Sequence, residues 1–171
     1  MGMTRNIVVV PYDSNWKLQF ETIRSEIQDA LCELALSIEH VGSTSVEGLS
    51  AKPIIDIDVV IEDESKLQTV IEKLAVIGYE YEGNLGIVGR EAFGYTGKEH
   101  LQNHHLYVCA KDSPELKRHL TFRDYLRSHK EAVREYSRIK EEGAKLFPND
   151  IDGYIRYKTD WIERIYREIG L

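Results

Sequence analysis

Apolar side chains recur at spacings of three and four from Trp16 through Phe20, Ile23, Ile27 and Leu31 to Leu34. That period predicts an amphipathic helix over 16–34, with the Trp16, Phe20, Ile23 and Ile27 stripe turned to a core and Asp13, Ser14 and Asn15 available as caps. Ahead of it, the β-branched run from Ile7 to Val10, ended by Pro11, predicts a first strand or an extended arm. The period then falls to two over 36–41, a strand pattern that puts His40 on the polar side. Residues 42–53 hold two glycines, three serines, a threonine and a proline, and read as a loop. Residues 54–61 are almost wholly β-branched and read as a buried strand beginning after Pro53. Acids at 62–64 open a helix with a Leu67, Val70, Ile71 and Leu74 stripe, and Gly78 stops it. Aromatic and apolar residues broken by Gly83, Gly86, Gly89 and Gly94 predict short strands and turns over 79–95. Residues 103–110 form a clearer strand, with His105, Tyr107 and Cys109 on one face and His104 on the other. Three helices follow, over 114–128, 130–146 and from Asp150 to 169. The pattern is α/β (α+β): one domain over 1–171, with a sheet-containing core in 1–110 and a helical part in 111–171.

Two carboxylates interrupt the apolar strand. Asp56 and Asp58 are two residues apart and therefore project from the same face, roughly 7 Å apart along the strand. Like charges so placed in an apolar strand require a compensating cation or proton. Upstream, Gly42 and Ser43 offer free backbone amides and a hydroxyl suited to phosphate. By alternation, His105 shares the sheet face that approaches the two acids. Lys52 reads equally as a solvated loop lysine or as a charge partner for phosphate. Arg123 and Arg127, four apart on one helical face, read either as a phosphate-binding pair or as partners of Asp124 and Glu131 on a solvated surface.

Charge and cysteine content narrow the function class. A net charge of −7 argues against general nucleic-acid binding, whose affinity comes largely from cationic contacts to phosphate. It leaves a nucleoside triphosphate open, because a bound divalent ion supplies positive charge locally. Two cysteines, Cys32 and Cys109, lack metal-ligand spacing and point to a reducing, cytoplasmic setting. The short apolar run in 1–10 is expected to be neither a signal peptide nor a membrane span.

Gly42-Ser43, twelve intervening residues and then Asp56-Ile57-Asp58 resemble the signature of the nucleotidyltransferase superfamily. The longer wording is more specific. His40-Val41-Gly42-Ser43-Thr44-Ser45-Val46, Gly48-Leu49, Ala51-Lys52-Pro53-Ile54-Ile55-Asp56-Ile57, Asn103-His104-His105-Leu106-Tyr107-Val108, Leu120-Thr121-Phe122-Arg123-Asp124-Tyr125-Leu126-Arg127 and Lys158 with Trp161 closely resemble the GrpB family. That resemblance implies a small mixed β-sheet of nucleotidyltransferase type with flanking helices and a C-terminal helical bundle. It also implies a divalent metal (Mg²⁺ or Mn²⁺) on Asp56, Asp58 and His105, and a triphosphate held by Gly42, Ser43, Lys52 and Lys158. The implied reaction moves a nucleotidyl group from an NTP to an unknown acceptor, with Asp56, Asp58 and His105 as the catalytic set. Nucleotidyltransferases usually carry a third carboxylate on a later strand, where this chain offers His105 and Tyr107. Imidazole suits Mn²⁺ better than Mg²⁺. The missing acid keeps two other readings in view: a non-catalytic nucleotide- or metabolite-binding module, and a metal-dependent phosphohydrolase on the same fold.

Overall fold

A computed structural model describes residues 6–171. The part of the N-terminal reading that concerns residues 1–5 lies outside them. The order of elements is α1 (Asn15–Leu31), β1 (Ser37–Val41), β2 (Ile55–Ile61), α2 (Leu67–Val76), β3 (Tyr79–Gly83), β4 (Glu91–Tyr95), β5 (His104–Ala110), α3 (Pro114–Arg127), α4 (Lys130–Leu146) and α5 (Ile151–Glu168). The strands form one mixed sheet in the order β1-β2-β5-β4-β3, in which only β2 and β5 run parallel. The expected mixed α/β architecture is therefore the observed one.

The differences from the expected elements have local causes. The first helix ends at Leu31, where Cys32 adopts φ 50°, and a single 3₁₀ turn carries the chain to Leu34. Asp63 accepts a hydrogen bond from the Ser65 amide and caps a 3₁₀ turn, so the regular helix starts only at Leu67. The residues from Ile7 to Val10 are an arm rather than a strand. Val10 makes one bridge to Ala51, and the Ile7 amide donates to the Pro148 carbonyl at 2.9 Å.

The two faces of the sheet differ in character. Ile55, Ile57, Val59 and Ile61 of β2, with Leu106 and Val108 of β5, pack beneath the Trp16, Phe20, Ile23 and Ile27 stripe of α1 and beneath Val70 and Leu74 of α2. The other face carries Asp56, Asp58 and Val60 beside His105, Tyr107 and Cys109, and it faces the helical part. A second core joins the helices to the loop between β1 and β2. Val46 and Leu49 of that loop are buried among Leu126, Val133, Tyr136, Trp161 and Ile165. The loop is thus pinned by apolar burial at its middle, which fixes the residues on either side of it.

His40 corrects the strand reading. In β1 it pairs with Ile57, and so points to the apolar face together with Ile38, while Glu39 lies opposite Asp58. The ring is buried, stacks on Phe20 with centroids 4.7 Å apart, and its Nε2 lies 2.9 Å from Thr44 Oγ1. The alternation was real; an imidazole with one polar partner and an aromatic stack simply fits the core side. Burial, helped by the Arg127 charge, lowers its pKa to about 4. The unfolded chain therefore takes up this proton before the folded one does, and stability rises with pH between the two values. We expect urea denaturation to show full stability above about pH 6.5 and a loss of roughly 3 kcal/mol on descent toward pH 4, absent from His40→Gln.

Candidate functional site

Parallel pairing of β2 with β5 sets Asp56 beside His105 and Asp58 beside Tyr107. Asp56 Oδ1 lies 3.0 Å from His105 Nδ1, and both side chains are partly open to solvent. Asp58 is fully buried and has a different partner. His119 Nδ1 of α3 approaches its Oδ2 at 2.6 Å, and Asp58 Oδ1 is buried with no hydrogen-bond partner. Burial pushes the His119 pKa down, but the hydrogen bond to Asp58 and the Asp58 charge outweigh it, and the pKa is raised.

Gly42 closes the site from the β1 side. Its φ of +73° is a left-handed conformation, and a Cβ placed there would stand 2.4 Å from Asp56 Oδ2. The following residues make a single 3₁₀ turn, Ser43–Ser45, closed by the Ser45 amide and hydroxyl donating to the Gly42 carbonyl. Ser43 projects its hydroxyl onto the ammonium of Lys140 from α4. Lys140 is buried, and its Nζ also lies 3.3 Å from the Ser50 carbonyl and 4.3 Å from the centre of the Tyr136 ring. Burial lowers its pKa far below that of an ordinary lysine. Lys158 of α5 is brought down to about 8 by burial and by the neighbouring Lys52 charge. Lys52 and Lys158 both lie against the Tyr154 ring, at 5.7 and 5.0 Å from its centre. These lysines, Ser43, Asp56 and His105 line one cavity of about 160 Å³.

The structure thus brings Gly42, Ser43, Lys52, Asp56, His105 and Lys158 together, with Asp58 one step deeper. Two residues at the site escaped the sequence reading. Lys140 lies within an amphipathic helix whose charged face is otherwise ordinary, and His119 falls in the second turn of α3. Arg123 and Arg127 do not form the expected solvated face. Arg123 reaches Glu39 and the His40 carbonyl, both at 3.1 Å, besides Asp124, and Arg127 donates to the Ser45 carbonyl. They latch α3 onto β1 and the glycine turn: the Arg127 fork takes the Ser45 carbonyl with both Nε and Nη2, and Arg123 takes the His40 carbonyl. His104 lies on the far face, bonded to Tyr79 Oη at 2.7 Å and stacked on Tyr95.

Among the described residues, no group of three or more His, Cys, Asp or Glu side chains is arranged as a metal site. The two aspartates still suit a hard divalent cation. They are same-face oxygen donors, and the unpartnered buried Oδ1 of Asp58 leaves lone pairs that a cation would satisfy.

Sheet order, glycine turn and aspartate strand define a fold of the nucleotidyltransferase class. The GLD-2/RNP-8 complex superposes with a TM-score of 0.57 at 14% identity, over 77% of this chain and 54% of that one. Cid1 in complex with its short product ApU gives 0.55 at 13%, over 79% and 42%. At such identities the likeness is one of fold. Within that class the chain belongs to the GrpB family, whose pattern, described as GrpB protein, matches residues 6–168. The crystal structure of conserved protein GrpB from Enterococcus faecalis superposes with a TM-score of 0.83 at 35% identity, over 95% of this chain and 96% of that one. The glutamate-rich protein GrpB of Alkalihalophilus pseudofirmus is 32% identical over 168 residues, covering 95% of each. The UPF0157 protein YqkA of Bacillus subtilis is 31% identical over 159 residues, 93% of this chain but only 46% of YqkA's own length. No described helix is long and apolar enough to cross a membrane.

The Gly42 contact can be isolated experimentally. Gly42→Ala adds both a positive-φ penalty of about 1–2 kcal/mol and a clash with the Asp56 carboxylate, whereas Gly97→Ala, at φ +69° with open space around it, adds only the former. Urea denaturation should show Gly42→Ala to be the more destabilised of the two, and its crystal structure should show Asp56 displaced. Equal losses would mean that the approach of Asp56 to the turn is not constrained.

Proposed function

We propose that this protein binds a nucleoside triphosphate, with the triphosphate in the lysine cavity, and passes its nucleotidyl group to an acceptor. The observation that carries this reading is the convergence of Lys52, Lys140 and Lys158 on the Ser43 turn, in a cavity where Asp56 is the one lining carboxylate. Burying lysines without matching anions is unfavourable on its own, and a polyanion supplies the missing charge. The Gly42–Ser45 turn adds backbone amides and the Ser43 hydroxyl to the same wall.

Asp56 and Asp58 would hold the divalent ion, with His105 beside Asp56 as a further donor. Such an ion, when bound, neutralises charge on phosphoryl oxygens during an in-line displacement. The chain's own groups do the rest. Lys140 and Lys158 hold the outer phosphates and stabilise the departing pyrophosphate. Gly42 lets the α-phosphate approach the carboxylate strand, and Arg123 and Arg127 hold the turn rigid from α3. A second reading, binding without chemistry, has its own support: β5 sets His105 and Tyr107, not an acid, next to the two aspartates. Release of pyrophosphate separates the two.

Thermal shift assays with ATP or UTP plus Mn²⁺ or Mg²⁺ should show stabilisation beyond that given by either component, about 2.7 kcal/mol at a ligand concentration a hundred times the dissociation constant. Lys140→Met should weaken tripolyphosphate binding by about 1.5–3 kcal/mol while changing the stability of the free protein little, since losing the bonds to Ser43 and Ser50 is offset by relief of the burial penalty on the amino group. A melting curve that no nucleotide, polyphosphate or divalent ion moves would remove the basis of this reading.

Proton linkage gives an independent check. Lys158 sits near half-protonation at about pH 8, and a bound polyanion favours its charged form. Calorimetry in buffers of different ionisation enthalpy should therefore show proton uptake on tripolyphosphate binding at pH 8 to 9, reduced in Lys158→Arg.

A further inference from the structure

The lysine cavity is one of two that meet at Asp56. In the sheet, Asp56 stands between His105 of β5 and Val41 of β1. The lysine cavity includes His105, on the β5 side. The second cavity, of about 240 Å³, includes Gly42, on the β1 side, and extends toward α3 and α5. The two share Ser43, Asp56 and Lys158.

Their chemistry is opposite. The walls of the second cavity are the rings of Phe122, Tyr136 and Tyr166 with Ile162. Phe122 meets Tyr166 edge-on at 5.1 Å and Tyr136 at 6.1 Å. Apart from Lys158, which the two cavities share, the cationic groups on this side are already engaged, His119 by Asp58 and Arg123 by Glu39. Such a lining offers little to a second phosphate group and much to a flat ring.

In an in-line displacement at phosphorus, the entering and leaving oxygens lie on opposite sides of the reacting atom. If pyrophosphate leaves into the lysine cavity, the nucleophile arrives from the other side of Asp56, which is the aromatic cavity. We propose that this cavity is the acceptor site and takes a small hydroxyl-bearing molecule with a flat ring. The assignment rests on the lysine cavity being the triphosphate site. The acceptor's hydroxyl oxygen bonds to the α-phosphorus, and the bond from that phosphorus to the bridging oxygen of the β-phosphate breaks. Pyrophosphate leaves with the electron pair, and the hydroxyl proton is released to water.

The test reads binding rather than turnover. Benzyl alcohol, 4-methylphenol and uridine are offered to the protein in saturation-transfer NMR, with Mn²⁺-free buffer and a saturating amount of the α,β-methylene analogue of ATP. At least one ring probe should bind with the analogue in place. Ile162→Trp, which fills the cavity, should weaken that probe about tenfold or more, and Tyr166→Leu, which removes a wall without filling it, should weaken it too. Both variants should keep wild-type affinity for inorganic tripolyphosphate, which also reports that they are folded. Displacement of every ring probe by the ATP analogue would overturn the proposal and give the cavity to the nucleotide's own base. Failure of all three probes to bind, or undiminished binding by both variants, would overturn it as well. If wild-type protein does not bind tripolyphosphate, the nucleotide reading itself falls, a result the ring probes do not influence.

Discussion

The burial of the Lys140 amino group beneath the turn that follows β1 is the constraint on which the site depends. A cation removed from water must be met by polar groups held in place. Here they are the Ser43 hydroxyl, the Ser50 carbonyl and the face of the Tyr136 ring. The same helix face contributes Ser137 to the Ser50 amide and Glu141 to the Ser50 hydroxyl, at 3.0 and 2.8 Å. Residues 140 and 141 follow 137 by three and four positions, so a single helical stripe grips both ends of the loop. Val46 and Leu49, buried in the helical core, hold its middle. The glycine turn is therefore shaped by residues nearly a hundred positions downstream, and the sheet and the helices meet around it.

The two aspartates, alike in sequence, have been given different environments. Asp58 is fully buried against His119, while Asp56 keeps a third of its side chain exposed and opens on both cavities. The difference follows from depth. Asp58 sits one pleat further under α3, where an imidazole from the second turn can cover it, and Asp56 sits at the strand end beside the glycine turn. Glu39, opposite Asp58 on β1, is likewise neutralised by Arg123. The negative charge on this sheet face is thus largely paired from α3, and Asp56 remains the acid that faces open space.

Much of this was legible in the chain because it is local. Helix and strand periods give eight of the ten elements to within a few residues and leave β3 and β4 as unbounded short strands, and same-face alternation puts Asp56, Asp58 and His105 on one side of the sheet. The spacing of Gly42-Ser43 from the acids pointed to the turn. What escaped has long-range causes. Nothing in the residues around Lys140 separates a lysine that folds under a loop from one that remains in solvent. His119 looks like a surface histidine until α3 is laid across β2. Arg123 and Arg127 have nearby acids as plausible partners, and only the fold shows that the turn's carbonyls compete successfully for Arg127. In β1 polarity is the misleading cue: strict alternation sets His40 on the face of Leu36 and Ile38, and Glu39 is the residue that an apolar core could least accommodate.

The absent third carboxylate takes on a different meaning once the lysines are counted. A site built from three acids is strongly negative and must be neutralised by metal before a triphosphate can approach it. This site sets three lysines and the Asp58-bound His119 around two acids. Three lysines thus converge on a wall whose one carboxylate is Asp56, in a chain whose net charge is −7. Cationic walls with little water around them focus the field on the cavity, and the proposed triphosphate would be drawn to this spot rather than to the rest of the surface. On the proposed reading, phosphate binding rests on the helices first and on the ion second, and His105, which adds no negative charge where an acid would, leaves the approach to Asp56 open. The exchange of an acid for a histidine is then consistent with the lysines that face it, two features that lie far apart in sequence and meet only at the turn after Gly42.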